Sequence, residues 1–559
     1  MSVWRLYLVV AGVLLASAGL AGRVLYLHLV DRDFLQDQGD ARTIRMERVN
    51  AHRGIISDRH GTPLAISSPV VSLWANPSEI DDPGAVATQL AAGLGLSAEL
   101  VTRRLVDNRD RAFVYIRRRV PPATAGNILA LGLPGIYGEK EYQRYYPAGE
   151  VTAHVVGFTN VDDQGQEGVE LAFDDFLAGT SGKKKVLKNL YGAIVKDIKP
   201  VVEAKPGRDL SLSIDMRLQF LAYRELKSAI AQFGAESGTF IILDVLTGEV
   251  MAMVNQPSFN PNMRANLNLA AVRNRAVTDV FEPGSTVKPL TVAVALASGD
   301  FTPASRIDTS PGRFRVGKKT IRDPGNRGVM SLADIVAHSS QVGISKLALE
   351  LPEYDVWATF QAMGFGQPTG AGFPGERGGF LPNHRRWQDI ERVTFAYGYG
   401  LTVTPLQLAS AYQTIAAGGV RRELSILHGR APRGSRVMDR QIALDLTAIL
   451  NHTVRVGTAS RADVEAYSVA GKTGTVRKLG VEGDYKDTSH LTFFAGIAPA
   501  SRPRLVGVVM INDPDVPEAG GGTIAAPVFS RVIGGALRLL NVPPDEAALE
   551  VAALDGAAS

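Results

Sequence analysis

A run of about 25 residues from Leu6 to Val30 is apolar except for Arg23 and His28, and no other segment limits the folding of this chain so strongly. As an α-helix it reaches roughly 38 Å, enough to cross a hydrocarbon core with some tilt. Ala16-Ser17-Ala18 resembles a signal-peptide cleavage site, but the apolar run continues well past it. An uncleaved anchor is therefore expected over residues 6–30, with residues 1–5 as a cytoplasmic tail. That tail carries Arg5 and a bulky domain follows, which places the body of the protein outside the cytoplasm. Arg23 either snorkels to the interface or faces a partner helix.

The 559 residues leave room for two or three further domains, each with a sizeable core. Sixty basic residues against 56 acidic ones give a net charge of only +4, so the balance does not point to nucleic acid. Lys183-Lys184-Lys185 with Lys188 reads as a solvated hairpin. The absence of cysteine excludes disulfides, thiolate metal sites, a thiol nucleophile and a lipoprotein anchor.

Chemistry concentrates at Glu282-Pro283-Gly284-Ser285-Thr286-Val287-Lys288. Pro-Gly marks a turn, and Pro289 is tolerated only in the opening turn of a helix, so a helix is expected to start at or near Ser285. Residues three apart share a helix face, which brings the Lys288 amine up against the Ser285 hydroxyl. A hydroxyl becomes a nucleophile when a base takes its proton, and a neutral lysine suits that role. Burial and the positive end of the helix dipole both disfavour its ammonium form.

Before this motif lies a mixed region, from about Asp31 to Glu225, without an obvious catalytic set. Arg53 to Gly61 reads as a strand broken by turns. Arg144, Glu170 and Asp174 are expected to tie loops together by charge-assisted hydrogen bonds, and His154 is taken as structural. Leu210–Asp215 alternates like a strand and Met216–Phe233 like a helix. Gly238–Val254 reads as a hairpin around Thr247-Gly248. Farther on, Ser339-Ser340-Gln341 falls in a short loop between helical runs, and Ala470–Thr475 reads as part of a strand. Ala466 stands where a phosphate-binding loop needs glycine, so Gly471-Lys472-Thr473 fails as a nucleotide motif. Thr492–Ile497 and Leu505–Ile511 are expected strands, and Pro527–Leu540 a closing helix before a loose Ala-rich tail.

Ser285/Lys288, Ser339/Gln341 and Lys472-Thr473-Gly474 reproduce, in order, the Ser-x-x-Lys, Ser-x-amide and Lys-Thr-Gly combination of penicillin-binding proteins and β-lactamases. The chain resembles the class B penicillin-binding proteins of the cell-division type, the septal peptidoglycan transpeptidases. The resemblance extends over Arg144–Gly157, Gly165–Asp174, Arg273–Pro289, Tyr397–Gly400 with Thr404–Gln407, Gly471–Thr475 and Ile511–Pro514. It implies an α+β architecture: a single transmembrane helix, an elongated mixed pedestal of dimerisation type over 31–225, and a β-lactamase-like transpeptidase domain over 226–540. In that last domain helices flank an antiparallel sheet, and residues 541–559 form a flexible tail.

The same resemblance implies site roles. Ser285 would attack the penultimate D-Ala carbonyl of a stem pentapeptide, with Lys288 as base. Ser339 would relay a proton to the leaving amine, and Lys472 would hold that hydroxyl. Thr473 and Thr475 would hold the substrate carboxylate, Gly474 would leave room along the strand edge, and Gln341 would meet the substrate amide. Two backbone N–H groups, of Ser285 and Thr475, would form the oxyanion hole. The family usually has asparagine where Gln341 stands; the added methylene requires the amide to fold back, which marks a specialised copy. Stem pentapeptides and β-lactams are the expected ligands, divisome membrane proteins including a glycan polymerase the expected partners, and no metal, cofactor or nucleic acid is expected. The periplasm of an inner-membrane cell is the implied location. Two other readings share these motifs: a hydrolytic D,D-carboxypeptidase or β-lactamase relative, and a catalytically silent division scaffold.

Overall fold

In a computed structural model, residues 3–33, 44–49, 51–188, 194–265, 267–383, 387–479, 485–517 and 519–546 are described. Residues 1–2 of the expected tail and 547–559 of the expected C-terminal tail lie outside them. The apolar N-terminal run forms one helix, Val3–Leu29, with none of its residues buried. With a mean hydropathy of 2.0 it is long and apolar enough to cross a membrane. Arg23 stacks over the Tyr26 ring at 5.3 Å, so its charge turns along its own helix.

The chain divides into two compact units. The first comprises residues 1–54, 67–143 and 178–208. Here Lys183–Lys185 lie on the central strand, Gly182–Lys188, of a three-stranded antiparallel sheet completed by Ile44–Val49 and Ile194–Val202. Lys183 and Lys185 are exposed, so the basic run is a solvated hairpin strand. A second core gathers Leu73, Ile80, Leu90, Leu105, Ile116 and Ile128 between strands and short helices. One of these, Pro83–Leu94, has Asp82 accepting from the Gly84 and Ala85 N–H groups, proline in its first turn and Gly95 in the left-handed region at its end. That is the expected asymmetry of helix punctuation.

The second unit takes in residues 55–66, 144–177 and 209–559. A linear division at 225/226 therefore misses both insertions, and the helix Met216–Gln232 runs unbroken across that point. At its centre is a five-stranded antiparallel sheet in the order Val250–Gln256, Ser237–Asp244, Leu505–Asn512, Tyr485–Ala498, Ala470–Leu479. Strand residues alternate between faces. Along Ser237–Asp244, Phe240 and Ile242 enter a core with Leu226, Phe529 and Val532, whereas Ile241 and Leu243 enter another with Leu290, Leu406 and Leu446. Because both faces are covered, the strand reads as a continuous apolar run instead of an alternating one. Helices Met216–Gln232 and Ala526–Leu539 cover the first face, and Pro405–Ala416 and Arg440–Val456 lie on the second. Ala470–Leu479 closes the order and, among the described residues, is paired on one side only, which leaves an edge.

The inserted segment 144–177 is tied internally. Arg144 Nε donates to Glu170 Oε1 at 2.6 Å with both side chains essentially buried, and the Gly165 N–H donates to Asp174 Oδ1. His154 is buried, with Nε2 2.8 Å from the Ala271 carbonyl oxygen, and burial lowers its pKa to about 4. A neutral, fully enclosed imidazole is structural. Removing one partner from a buried ion pair strands the other charge. Glu170→Ala should accordingly destabilise this unit by about 3–5 kcal/mol in denaturant unfolding, and a loss below about 1 kcal/mol would contradict the assignment.

Candidate active site

The Pro283-Gly284 turn places Gly284 at φ +51°, and a Cβ there would meet Val476 Cγ2 at 2.6 Å. Gly284–Val287 then forms a 3₁₀ turn, and the α-helix proper, Lys288–Ser298, starts three residues beyond the serine. Among the described residues, the Ser285 hydroxyl is hydrogen-bonded to Ser339 Oγ at 2.9 Å and not directly to Lys288. Lys288 Nζ donates to the Ser339 carbonyl at 2.6 Å and lies 3.1 Å from Ser339 Oγ. The expected amine–hydroxyl contact is thus a three-membered chain, Lys288–Ser339–Ser285.

Lys288 is wholly buried; burial, followed by the charge of Lys472, holds its pKa well below the usual lysine value, against an opposing effect of Asp323. Lys472 is also wholly buried, and burial brings it down to about 7. Its Nζ donates to the Thr473 carbonyl and hydroxyl at 3.2 and 3.4 Å, so it is held by its own strand and not by the Ser339 hydroxyl as expected. Two ammonium groups in one desolvated region are costly, which disfavours charging both amines at once.

Ser339 sits in the loop between helices Leu332–Ala337 and Gln341–Glu350 with φ +59°. Gln341 is half-buried as the first residue of the second helix, where a loop position was expected. On the third wall Thr473 is buried, with its hydroxyl 2.9 Å from Thr458 Oγ1, while Thr475 is exposed and accepts from the Gly521 N–H at 3.0 Å. Gly474 has a packing reason beyond leaving room for a ligand. A Cβ there would meet the Phe493 ring at 2.7 Å and Thr286 Cγ2 at 2.9 Å, so a side chain would push the edge strand off the Gly284–Val287 turn.

Three residues lay outside the sequence-level site. Gly398, at φ +92°, accepts the Gly284 N–H at 3.0 Å through its carbonyl, and a Cβ would overlap Gly284 O at 2.2 Å. The Tyr-Gly-Tyr-Gly pattern is the signal for it, since only glycine enters that region at no steric cost. Thr458 and Asp323 carry no comparable local signal. Among the described residues, no cluster of three or more His, Cys, Asp or Glu could hold a metal ion. The arrangement is competent for nucleophilic acyl transfer: a hydroxyl at a helix start, an amine of lowered pKa linked to it by a second hydroxyl, and a strand edge beside both that is open among the described residues.

The profile of the penicillin binding protein transpeptidase domain matches residues 238–534, and that of the penicillin-binding protein dimerisation domain matches residues 48–212. The chain is 44% identical over 549 residues to the peptidoglycan D,D-transpeptidase FtsI of Escherichia coli K12, covering 97% of this chain and 93% of that protein. It is 41% identical over 544 residues to the probable peptidoglycan D,D-transpeptidase PbpC of Pseudomonas aeruginosa, covering 97% and 96%. Among solved structures, penicillin binding protein 3 of Mycobacterium tuberculosis complexed with aztreonam aligns with a TM-score of 0.70 at 27% identity, covering 89% of this chain and 98% of that one. The transpeptidase domain of Burkholderia pseudomallei penicillin-binding protein 3 aligns with a TM-score of 0.55 at 36% identity, covering 60% and 97%.

A lysine whose folded pKa lies near 7 instead of 10.5 favours the unfolded chain wherever it would be protonated there. That penalty is complete below pH 7 and is relieved as pH rises towards 10.5. Lys472→Met should therefore unfold at a higher temperature than the parent at pH 7, with the margin narrowing by pH 9.5. A margin that stays constant or widens with pH contradicts the burial argument.

Proposed function

The chain belongs to the penicillin-binding-protein transpeptidases and is a serine-type peptidoglycan D,D-transpeptidase of the cell-division type, and from that premise we propose how its residues divide the work. The observation that carries the proposal is the hydrogen-bond chain from Lys288 Nζ through Ser339 Oγ to Ser285 Oγ. Hydroxyl hydrogens turn freely, so the chain runs in either direction. In acylation the Ser285 proton passes to Ser339 Oγ while the Ser339 proton passes to the neutral Lys288 amine. Ser285 Oγ bonds to the penultimate D-Ala carbonyl carbon of a stem pentapeptide. Collapse of the tetrahedral adduct breaks the peptide bond, and terminal D-Ala leaves as the amine after receiving the proton back. The amine of a neighbouring stem then attacks the Ser285 ester, which restores the hydroxyl and completes the cross-link.

The Ser285 and Thr475 backbone N–H groups stabilise the oxyanion, a contribution of about 3 kcal/mol per donor. Lys472 in its protonated form supplies positive charge for the terminal carboxylate, with the Thr473 and Thr475 hydroxyls as hydrogen-bond donors. Gln341 folds its amide back to meet the substrate peptide. The free edge of Ala470–Leu479 admits the stem as an added strand. β-Lactams acylate Ser285 as mimics of the D-Ala-D-Ala end. Val3–Leu29 anchors the protein in the inner membrane with the catalytic unit in the periplasm, and a divisome partner there supplies glycan polymerisation.

Intact-mass measurement after exposure to penicillin tests the assignments together. The parent should gain one adduct and Ser285→Ala none; an adduct retained by Ser285→Ala would overturn the nucleophile. Ser339→Ala should acylate about 10²–10⁴-fold more slowly, since it breaks the relay. In the same assay Gln341→Asn should change the acylation rate, and an unchanged rate removes any special role for the longer amide.

A further inference from the structure

The Ser339 hydroxyl reaches both Ser285 and Lys288 because residue 339 holds a left-handed backbone, φ +59°, in which a non-glycine residue persists only when its surroundings enforce it. Upstream, the Ser339 and Ser340 N–H groups donate to Val336 O and Ile335 O. Downstream the restraint comes from a different element. Asp323 Oδ1 accepts from the Gln341 and Val342 N–H groups at 2.6 and 3.2 Å, and Oδ2 accepts from the Ser340 hydroxyl at 2.5 Å. Ser340 Oγ in turn accepts from the Gly343 N–H at 2.9 Å.

Asp323 is itself fixed. It follows a hairpin of Arg313–Val316 and Lys319–Arg322, and its N–H donates to the Gly312 carbonyl at 2.9 Å. Gly312 lies at φ +80°, where a Cβ would meet the Gly325 carbonyl oxygen at 2.8 Å, so this support is closely packed.

We infer that Asp323 is a positioning residue for acylation: by fixing the first turn of Gln341–Glu350 it holds the left-handed Ser339 whose hydroxyl links the nucleophile to its base. The inference rests on the reading of Ser285 as nucleophile and adds a residue that touches neither substrate nor reacting atoms. The hydrogen-bond pattern separates geometry from charge. Asparagine keeps an oxygen for the two N–H groups, and its NH₂ donates to Ser340 Oγ, which retains lone pairs for it. Glutamate keeps the charge but moves the oxygens by a methylene. Alanine removes every bond.

The test uses the full chain in detergent with a fluorescent penicillin, varying its concentration to separate the encounter constant from the limiting acylation rate, alongside thermal unfolding. Asp323→Ala and Asp323→Glu should slow the limiting rate by about 10- to 100-fold with the encounter constant nearly unchanged, as expected of a displaced catalytic group. Asp323→Asn should stay within about threefold of the parent, since each bond is replaced. A parental rate in Asp323→Glu, or an Asp323→Asn as slow as Asp323→Ala, overturns the inference. Should Asp323→Ala fail to fold, the glutamate and asparagine variants decide alone. Label that persists in Ser285→Ala defeats the nucleophile reading instead, so the two failures are distinguishable.

Discussion

Removal of the Lys288 amine from water is the condition on which the rest of the site depends. A solvated ammonium is no base, and a lysine in bulk water holds its proton to about pH 10. Enclosing the group with no direct carboxylate partner among the described residues makes the charged form expensive, and the buried Lys472 nearby adds repulsion. Burial thus favours an amine with a free electron pair, and that amine is joined through one hydroxyl to another. Pairing either lysine with an adjacent carboxylate would stabilise its charge and remove the base. Activity and stability pull in opposite directions here.

A base this short of polar partners must be held by its neighbours, and the fold brings three independent elements to it. The nucleophile turn is held from behind: Gly284 donates to Gly398, Phe281 and Val403 exchange backbone hydrogen bonds, and the Tyr412 hydroxyl donates to Thr286 O at 2.8 Å. The edge strand lies against the front of that turn at Gly474, where a Cβ would meet Thr286 Cγ2 at 2.9 Å, and Phe493 of the next strand stacks on Phe281 at 4.6 Å between ring centres. The Ser339 loop closes the third side, restrained by Asp323. Each support is backbone-directed or aromatic, so the catalytic hydroxyls stay available for chemistry.

Much of this was legible in the sequence, for identifiable reasons. The apolar helix, the doubly covered strand at Thr239–Leu243 and the closing helix all follow from local composition and period. The Ser-x-x-Lys spacing likewise put a lysine on the serine's face of a helix. The direct contact is replaced because Ser339, 51 residues from Lys288, bonds to both groups. Lys472 was expected on Ser339, yet its own strand supplies its acceptors. Asp323 was invisible: before Pro-Gly it reads as a turn residue, and its partners stand 17 to 19 residues downstream. The interleaving of segments 55–66 and 144–177 with the catalytic unit is a non-local packing outcome that no local pattern encodes.

The pH dependence of Ser285 acylation tests the neutral-amine account most directly. With the full chain and a β-lactam of fixed charge followed from pH 5 to 10, the rate should level off well before the pH at which an ordinary lysine titrates, as a base with a lowered pKa requires. A rate that keeps rising about tenfold per unit towards pH 10 would show that Lys288 keeps an ordinary lysine pKa, and would contradict the account.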